Sequence, residues 1–536
     1  MKYFLLAGLL LGSLASAAQA QPFDAAKAAD LLPSPGILRN SISNLHAEGD
    51  SLWVGPFLNL TADGGRTWQV ADADSLAQFR NRVYSIDAEG DVIWAGLGEA
   101  ERREIDGQSQ TVDLARGLLV SEDGGQTWRY VSPLAPSDND PETTGLLDLP
   151  DDTVTVYGGV PLPTLAITVP ETSPPWDIDF DPATGTVWTA NQVAGLRKST
   201  DGGRTWRRVV LPPDTSAFLA PELGYQFPFF VQPSGIPLDQ FAGLNFQVFS
   251  VLAEGGRVWA GAVGGLNVSD DGGTSWRHFD VDDGLPGNWV ISVEEQPLAG
   301  GGSVVWAATW PAIGQAERFG VVSTSDGGAT FQAALEGERV YDFAFRGRTV
   351  YAAGENGLFI SDDGGVTWRT LRSFFDATQP DRTFRPGARI FSVATTRDAL
   401  WVGTEDGLFR STNAGVTWQG FRAEVPLSPD DLPPVIPAEA VPKVEAYAYP
   451  NPFSPAADRF VRIRYRLDAD ATVRLRIFDF AMNLVRDLGE EARPAGEREV
   501  SWDGTDDRGA RVANGTYFYA VEAAGDTFWG KILVLE

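Results

Sequence analysis

The chain has 536 residues, with 72 acidic side chains against 42 basic ones and a formal charge of −30. That balance argues against a surface built to neutralise phosphates, so nucleic acid is not an expected partner. There is no cysteine, and His46 and His278 are the only histidines, which removes disulfides, thiolate zinc sites, cysteine nucleophiles and multi-histidine metal centres. No metal, cofactor or catalytic residue is assigned, and any chemistry falls to carboxylates, hydroxyls, arginine or tyrosine.

Residues 1–20 have the parts of a secretory signal: Lys2, an apolar run from Tyr3 to Leu14, and the small-residue exit Ala18-Gln19-Ala20, with cleavage expected before Gln21. No later stretch offers about 20 uninterrupted apolar residues, so no transmembrane span is expected in the mature chain.

A repeat organises residues 21–422. Ser121-Glu122-Asp123-Gly124-Gly125-Gln126-Thr127-Trp128 recurs at Thr61–Trp68, Ser199–Trp206, Ser269–Trp276, Thr324–Phe331, Ser361–Trp368 and Ser411–Trp418. Seven copies result, the last with Asn413-Ala414 in place of Asp-Gly. An aromatic precedes each copy: Trp53, Trp94, Trp188, Trp259, Trp306, Tyr351 and Trp401, so twelve of the 17 tryptophans fall at two repeat positions. Alternating runs such as Val248-Phe249-Ser250-Val251 open the units, and each unit reads as four short strands with Gly/Asp turns. The fold class predicted is all-β, a seven-bladed β-propeller followed by a β-sandwich.

The repeated aspartates Asp63, Asp123, Asp201, Asp271, Asp326 and Asp363, with Asn413, are read as structural: they accept backbone N–H groups in turns where paired glycines take positive φ. Strand parity puts these 3→4 turns on one face, the back. The 2→3 and 4→1 connections then lie on the front, and they include the insertions Leu97–Ala115, Ser132–Pro174, Leu211–Phe246 and Pro311–Arg318. Aligning the opening runs puts Asn44, Ser85, Asp177, Ser250, Ser292, Asp342 and Ser392 in one column, and His46, Asp87, Asp179, Leu252, Glu294, Ala344 and Ala394 two residues on. A period of two places both columns on the same side of the strand, so Asn44, His46, Asp87, Asp177, Asp179, Glu294 and Asp342 are the candidate channel-lining, ligand-binding residues. A hydrated channel without ligand fits the same columns.

Six prolines between 426 and 442 mark residues 423–442 as an extended spacer. Residues 443–536 alternate strongly, as in Val461-Arg462-Ile463-Arg464-Tyr465-Arg466-Leu467, and predict about seven strands of an immunoglobulin-like sandwich. Asp503–Asp507 lacks calcium-loop spacing and reads as a turn.

The repeated boxes resemble the Asp-box (BNR) propellers, the group that includes sialidases, xyloglucanases and photosystem II assembly factors, and the Trp-Val-Gly stretches resemble the two-component-regulator propellers. Tyr449-Pro450-Asn451-Pro452-Phe453, Trp502-Asp503-Gly504-Thr505-Asp506, Asn514-Gly515-Thr516-Tyr517 and Gly530-Lys531-Ile532-Leu533-Val534 resemble the FlgD-like Ig domain and the sorting domains of type IX secretion cargo. The resemblance implies a protein secreted to, or held at, the outer surface of a Gram-negative-type bacterium. Its expected partners are a protein or glycan ligand at the front loops and secretion or attachment machinery at the C-terminal module. A glycoside hydrolase of sialidase or xyloglucanase type, or an assembly-factor scaffold, is the alternative. No early Arg-Ile-Pro motif and no grouping of Arg, Tyr and Glu supports the sialidase chemistry.

Overall fold

The computed structural model describes residues 31–71, 82–105, 107–131, 154–164, 172–223, 243–379, 382–424, 427 and 444–536. The signal segment and nearly all of the Pro-rich spacer lie outside the described residues, as do parts of three of the four insertions.

Each of the seven repeat units forms one antiparallel sheet whose strands run in chain order from the innermost to the outermost. The fourth, for example, comprises Val248–Glu254, Arg257–Ala262, Leu266–Ser269 and Trp276–Phe279. The innermost strands touch in cyclic order, the last (Ile390–Thr395) meeting the first (Leu45–Glu48), so the sheets close into a propeller. Closure uses no exchanged strand. The amide of Ile42 donates to the Thr404 carbonyl at 2.9 Å, and that of Arg397 to the Gly49 carbonyl at 2.7 Å. Leu31–Ser34 pairs with Trp68–Ala71 as an extra outer strand of the first blade.

The box turn holds itself together in the same way each time. In the third copy, Asp201 Oδ1 accepts from the amides of Arg204 and Thr205 at 2.9 Å, and Oδ2 accepts from the Thr205 hydroxyl at 2.6 Å. The Ser199 hydroxyl donates to Asp201 Oδ1 and accepts from the Gly203 amide. In the seventh copy Asn413 Oδ1 still accepts from the Thr417 amide, while its Nδ2 donates to the Thr417 hydroxyl at 2.8 Å. The hydroxyl reverses its role, which is why an amide serves where the other copies carry a carboxylate.

These turns bind one blade to the next. At four junctions the strand-two aromatic of one blade meets the box aromatic of the blade that follows, edge to face, among them Trp53 on Trp128 at 5.8 Å, Trp94 on Trp206 at 6.5 Å and Trp306 on Trp368 at 6.1 Å. Trp401 on Trp68 at 6.4 Å makes the same contact across the seam. Burial of each indole gives on the order of 4–6 kcal/mol as an upper bound. The second box glycine lets the rings approach. Gly125 has φ +89°, and a Cβ there would sit 2.5 Å from the Trp53 ring; at Gly203 (φ +80°) it would sit 2.9 Å from Trp94.

Two expectations need correction. Leu97–Ala115 is not a loop: Val92–Ile105 and Gln108–Ser121 pair along their length, so the insertion is a projecting β-hairpin. The excursions do not all stay on the front. The Ser132–Pro174 connection contributes a hairpin, Val154–Tyr157 with Val160–Pro163, and the Tyr157 hydroxyl donates at 2.7 Å to the carbonyl of Thr274, inside the fourth box turn. Tyr157 is buried with Val209, Leu211, Leu219 and Trp276. Apolar burial at the rim between blades three and four thus draws this hairpin to the back. Within Leu211–Phe246, Phe218–Leu219 adds a fifth strand outside Trp276–Phe279.

The C-terminal module packs against the propeller. The module is a seven-strand sandwich of three and four strands, as the alternation predicts. Arg462 and Arg464 on strand Val461–Leu467 face the propeller, not solvent. Arg462 pairs with Asp406 in the 2→3 turn of the seventh blade and donates to the Thr383 carbonyl at 3.1 Å. Arg422 of the propeller pairs with Glu499 of the sandwich and donates to the same carbonyl at 2.7 Å, with its side chain only 1% exposed. Arg464 joins Glu424 to Glu497, and Ser501 meets Thr383 at 3.0 Å. The sandwich therefore sits on the front face at blade seven. Asp503 and Asp506 accept amides of their own segment, from Thr505 and from Arg508 and Ala510, as a turn requires.

Gly125→Ala is expected to lower stability by about 2–4 kcal/mol, from positive φ and from overlap with Trp53. A denaturant unfolding curve of the full chain checks this, and a loss below about 1 kcal/mol would contradict the packing role.

Candidate functional site

Six of the seven candidate channel residues lie on innermost strands and Asn44 immediately precedes one, but most of their hydrogen bonds run sideways. Asn44 Nδ2 donates to the carbonyls of Val83 and Tyr84, at 3.0 and 2.9 Å, on the next blade. His46 Nε2 lies 3.0 Å from the Ala88 carbonyl, and its Nδ1 is 3.8 Å from Asp87. Asp87 accepts from the Phe180 amide, Asp177 from Val251, Asp179 from Ala253 and Asp342 from Val393, at 2.5–2.9 Å. Ser85 donates to the Pro175 carbonyl and Ser392 to that of Ile42 in the corresponding places. Neighbouring inner strands diverge too far for ladder bonds, and these side chains bridge the gap. Glu294 has no hydrogen bond to a described residue.

The carboxylates nevertheless share one environment. Burial in the channel raises Asp177 and Asp342 to about 7, against the amides of Val251 and Ile178 on the former and of Val393 and Phe343 on the latter. Burial also raises Asp87, Asp179 and Glu294, with repulsion from neighbouring carboxylates adding to it in Asp179 and Glu294. The box aspartates move the other way. The hydroxyl and amide of Thr330 hold Asp326 at about 2, and the amide and hydroxyl of Thr367 hold Asp363 there. At the back end of the channel Glu254 rises to about 7, chiefly through a hydrogen bond and repulsion with Glu295. Among the described residues, no three His, Asp or Glu side chains converge closely enough to hold a metal ion.

A second layer lies above these carboxylates, toward the front, and the sequence reading missed it. Rings from successive blades form an unbroken arc: Tyr84–Trp176 at 5.3 Å, Trp176–Phe249 at 5.6 Å, Phe249–Trp289 at 5.1 Å and Trp289–Trp310 at 5.4 Å. It continues through Trp310–Tyr341 at 5.7 Å and Tyr341–Phe391 at 5.8 Å. All seven rings are half-buried. Tyr84, Phe249, Tyr341 and Phe391 are each the extra residue of a β-bulge near the front end of an inner strand. A bulge re-aims its side chain, so a residue that strict alternation would turn away from the channel joins the mouth instead. The signal was the column one residue before Asp177 and its equivalents, where Tyr84, Trp176, Phe249, Tyr341 and Phe391 stand.

Residues 456–527 match the FlgD Ig-like domain family, and residues 359–370 match the BNR/Asp-box repeat. The chain carries an Asp-box repeat and a FlgD-type Ig-like module. No curated protein matches it by sequence. Similar solved structures include PorZ, a surface component of the type-IX secretion system of Porphyromonas gingivalis, at 13% identity and TM-score 0.27, covering 92% of this chain and 75% of PorZ. An ancestral GH74 enzyme gives 14% and 0.45, covering 95% of this chain and 64% of the enzyme. The GH74 xyloglucanase from Xanthomonas campestris gives 13% and 0.44, covering 94% and 75%. No site residue passes from them to this chain, and its architecture stands on the sheet order and cyclic contacts above. Among the described residues no helix is long and apolar enough to cross a membrane.

The channel and box carboxylates give opposite pH dependences. For Asp177 and Asp342, pKa values of about 7 when folded against ~4 unfolded mean that the folded chain binds more protons; their contribution is complete below about pH 4 and is lost as pH rises to about 7. For Asp326 and Asp363 the stabilisation is present above about pH 4 and is lost as pH falls through about 2. Thermal unfolding should therefore show greatest stability at about pH 4–5. Asp342→Asn should reduce the decline between pH 5 and 8 by on the order of 1–2 kcal/mol after discounting for channel water. An unchanged decline would contradict the assignment.

Proposed function

We propose that the protein is exported and acts, at the cell surface or in the medium, as a non-enzymatic binding propeller that takes a protein or glycan ligand at its front mouth. The observation that carries this reading is the aromatic arc: seven half-buried rings around one entrance, several of them re-aimed by bulges, form an aromatic surface at the mouth. Hydrolysis is disfavoured by the use of the carboxylates. Asp87, Asp177, Asp179 and Asp342 hold backbone amides of adjoining blades, whereas a glycosidase needs a free acid and a second carboxylate across the scissile bond. The sandwich supplies sorting or attachment and also shields the front of blade seven.

The test is a glycan array together with a chromogenic glycoside panel on mature residues 21–536. Retention that falls when Trp176 is changed to Ala, without turnover, is the expected result; turnover of any glycoside would defeat the non-enzymatic reading.

A further inference from the structure

Resting on that binding reading, we infer that the occupant of the mouth is cationic: an extended segment of a partner protein whose arginine or lysine side chain seats on the Tyr84–Trp176–Phe249–Trp289 stretch of the arc, above the channel carboxylates. Two independent features point the same way. The faces of aromatic rings are electronegative and attract guanidinium and ammonium groups. The channel beneath them has the matching charge. Asp177 follows Trp176 directly in the chain, and Asp87, Asp179, Glu294 and Asp342 act on it or on one another. Farther in, at the back end of the inner strands, stand Glu48, Glu89, Asp181, Glu254 and Glu295.

Few basic groups face this column. His46 bonds to Ala88 and lies 3.8 Å from Asp87, Arg82 acts on Tyr84 at the mouth, Arg346 donates to the Thr396 carbonyl, and Arg257 pairs with Asp270 on the back. Burial makes the ionised carboxylates costly, so they retain protons, and a cation entering from the front would favour their ionised form and release protons. Glu294, which no described residue hydrogen-bonds, is the carboxylate freest to respond. A neutral sugar would stack on the same rings but would gain nothing from the carboxylates.

The chain itself shows that the arc accepts guanidinium. Arg339 lies 3.9 Å from the Trp310 centroid and 5.8 Å from that of Tyr341, and Arg389 lies 5.3 Å from Phe391. The arc over blades five to seven is thus covered from within. Among the described residues no cation lies over Tyr84, Trp176, Phe249 or Trp289, and that is the half where the inferred side chain sits. Asp113, which accepts from the Tyr84 hydroxyl at 2.7 Å, adds one more carboxylate at its edge.

The experiment is calorimetric titration of the mature chain with three probes. These are an acetylated, amidated Gly-Arg-Gly-Arg-Gly peptide, the same peptide with citrulline for arginine, and cellohexaose. The arginine peptide is expected to bind at least about tenfold more tightly than the citrulline one, and to weaken as salt is raised. Trp176→Ala should weaken it by about tenfold or more. Glu294→Gln, which alters no hydrogen bond to a described residue, should weaken it by about threefold or more and guards against a folding defect in the first variant. Equal binding of the citrulline peptide, or arginine binding indifferent to both substitutions, would overturn the inference. Cellohexaose binding sensitive to Trp176→Ala without arginine binding would also overturn it, yet leave the binding propeller standing. Failure of all three probes would overturn the cationic occupant, and the glycan array would then decide the broader reading separately.

Discussion

The whole disc depends on one repeated contact, an indole or phenyl ring laid edge-on against the next blade's box aromatic and across a glycine that has no side chain. Everything else about the box follows from keeping that glycine in place. Its positive φ needs a turn, the turn's amides need an acceptor, and the acceptor is the aspartate or asparagine, itself held by the serine or threonine two residues earlier. The carboxylates that look most like chemistry in the sequence are thereby committed to architecture. Their low proton affinity is a by-product of the hydrogen bonds they receive.

The two ends of the innermost strands have divided their work. The polar columns at Asn44 and His46 and their equivalents link strands that fan apart too widely to pair, and in doing so they concentrate negative charge in a narrow space. The bulged positions at the front carry no such linkage and are free to present large rings. An apolar rim thus lies over an acidic shaft, so the entrance has both contact area and carboxylates beneath it.

Periodicity made the architecture legible. Seven copies of a glycine-paired turn with a tryptophan partner admit few folds, and alternation in Val461–Leu467 announces a sandwich. What stayed hidden involved breaks in the period or partners distant in sequence. A bulge shifts parity by one residue, so Tyr84 and Phe249 read as facing away from the place they occupy. Alternation shows Arg462 and Arg464 on one face of their strand, but nothing local reveals that Asp406, Thr383 and Glu424 await them. The insertions were visible, but the rim contact of Tyr157 with Thr274 depends on a hydrophobic pocket built by two other blades.

The seam between the last blade and the first has a further meaning for how the molecule is made. Leu31–Ser34 lies on the outside of blade one and not in blade seven, so among the described residues no early strand completes the last blade. Trp68 and Trp401 find each other only after more than three hundred intervening residues have been laid down, so the growing crescent carries two complementary raw edges throughout its assembly. Each edge also fits its counterpart on a second crescent. Intramolecular ring closure must therefore outpace the meeting of two incomplete chains.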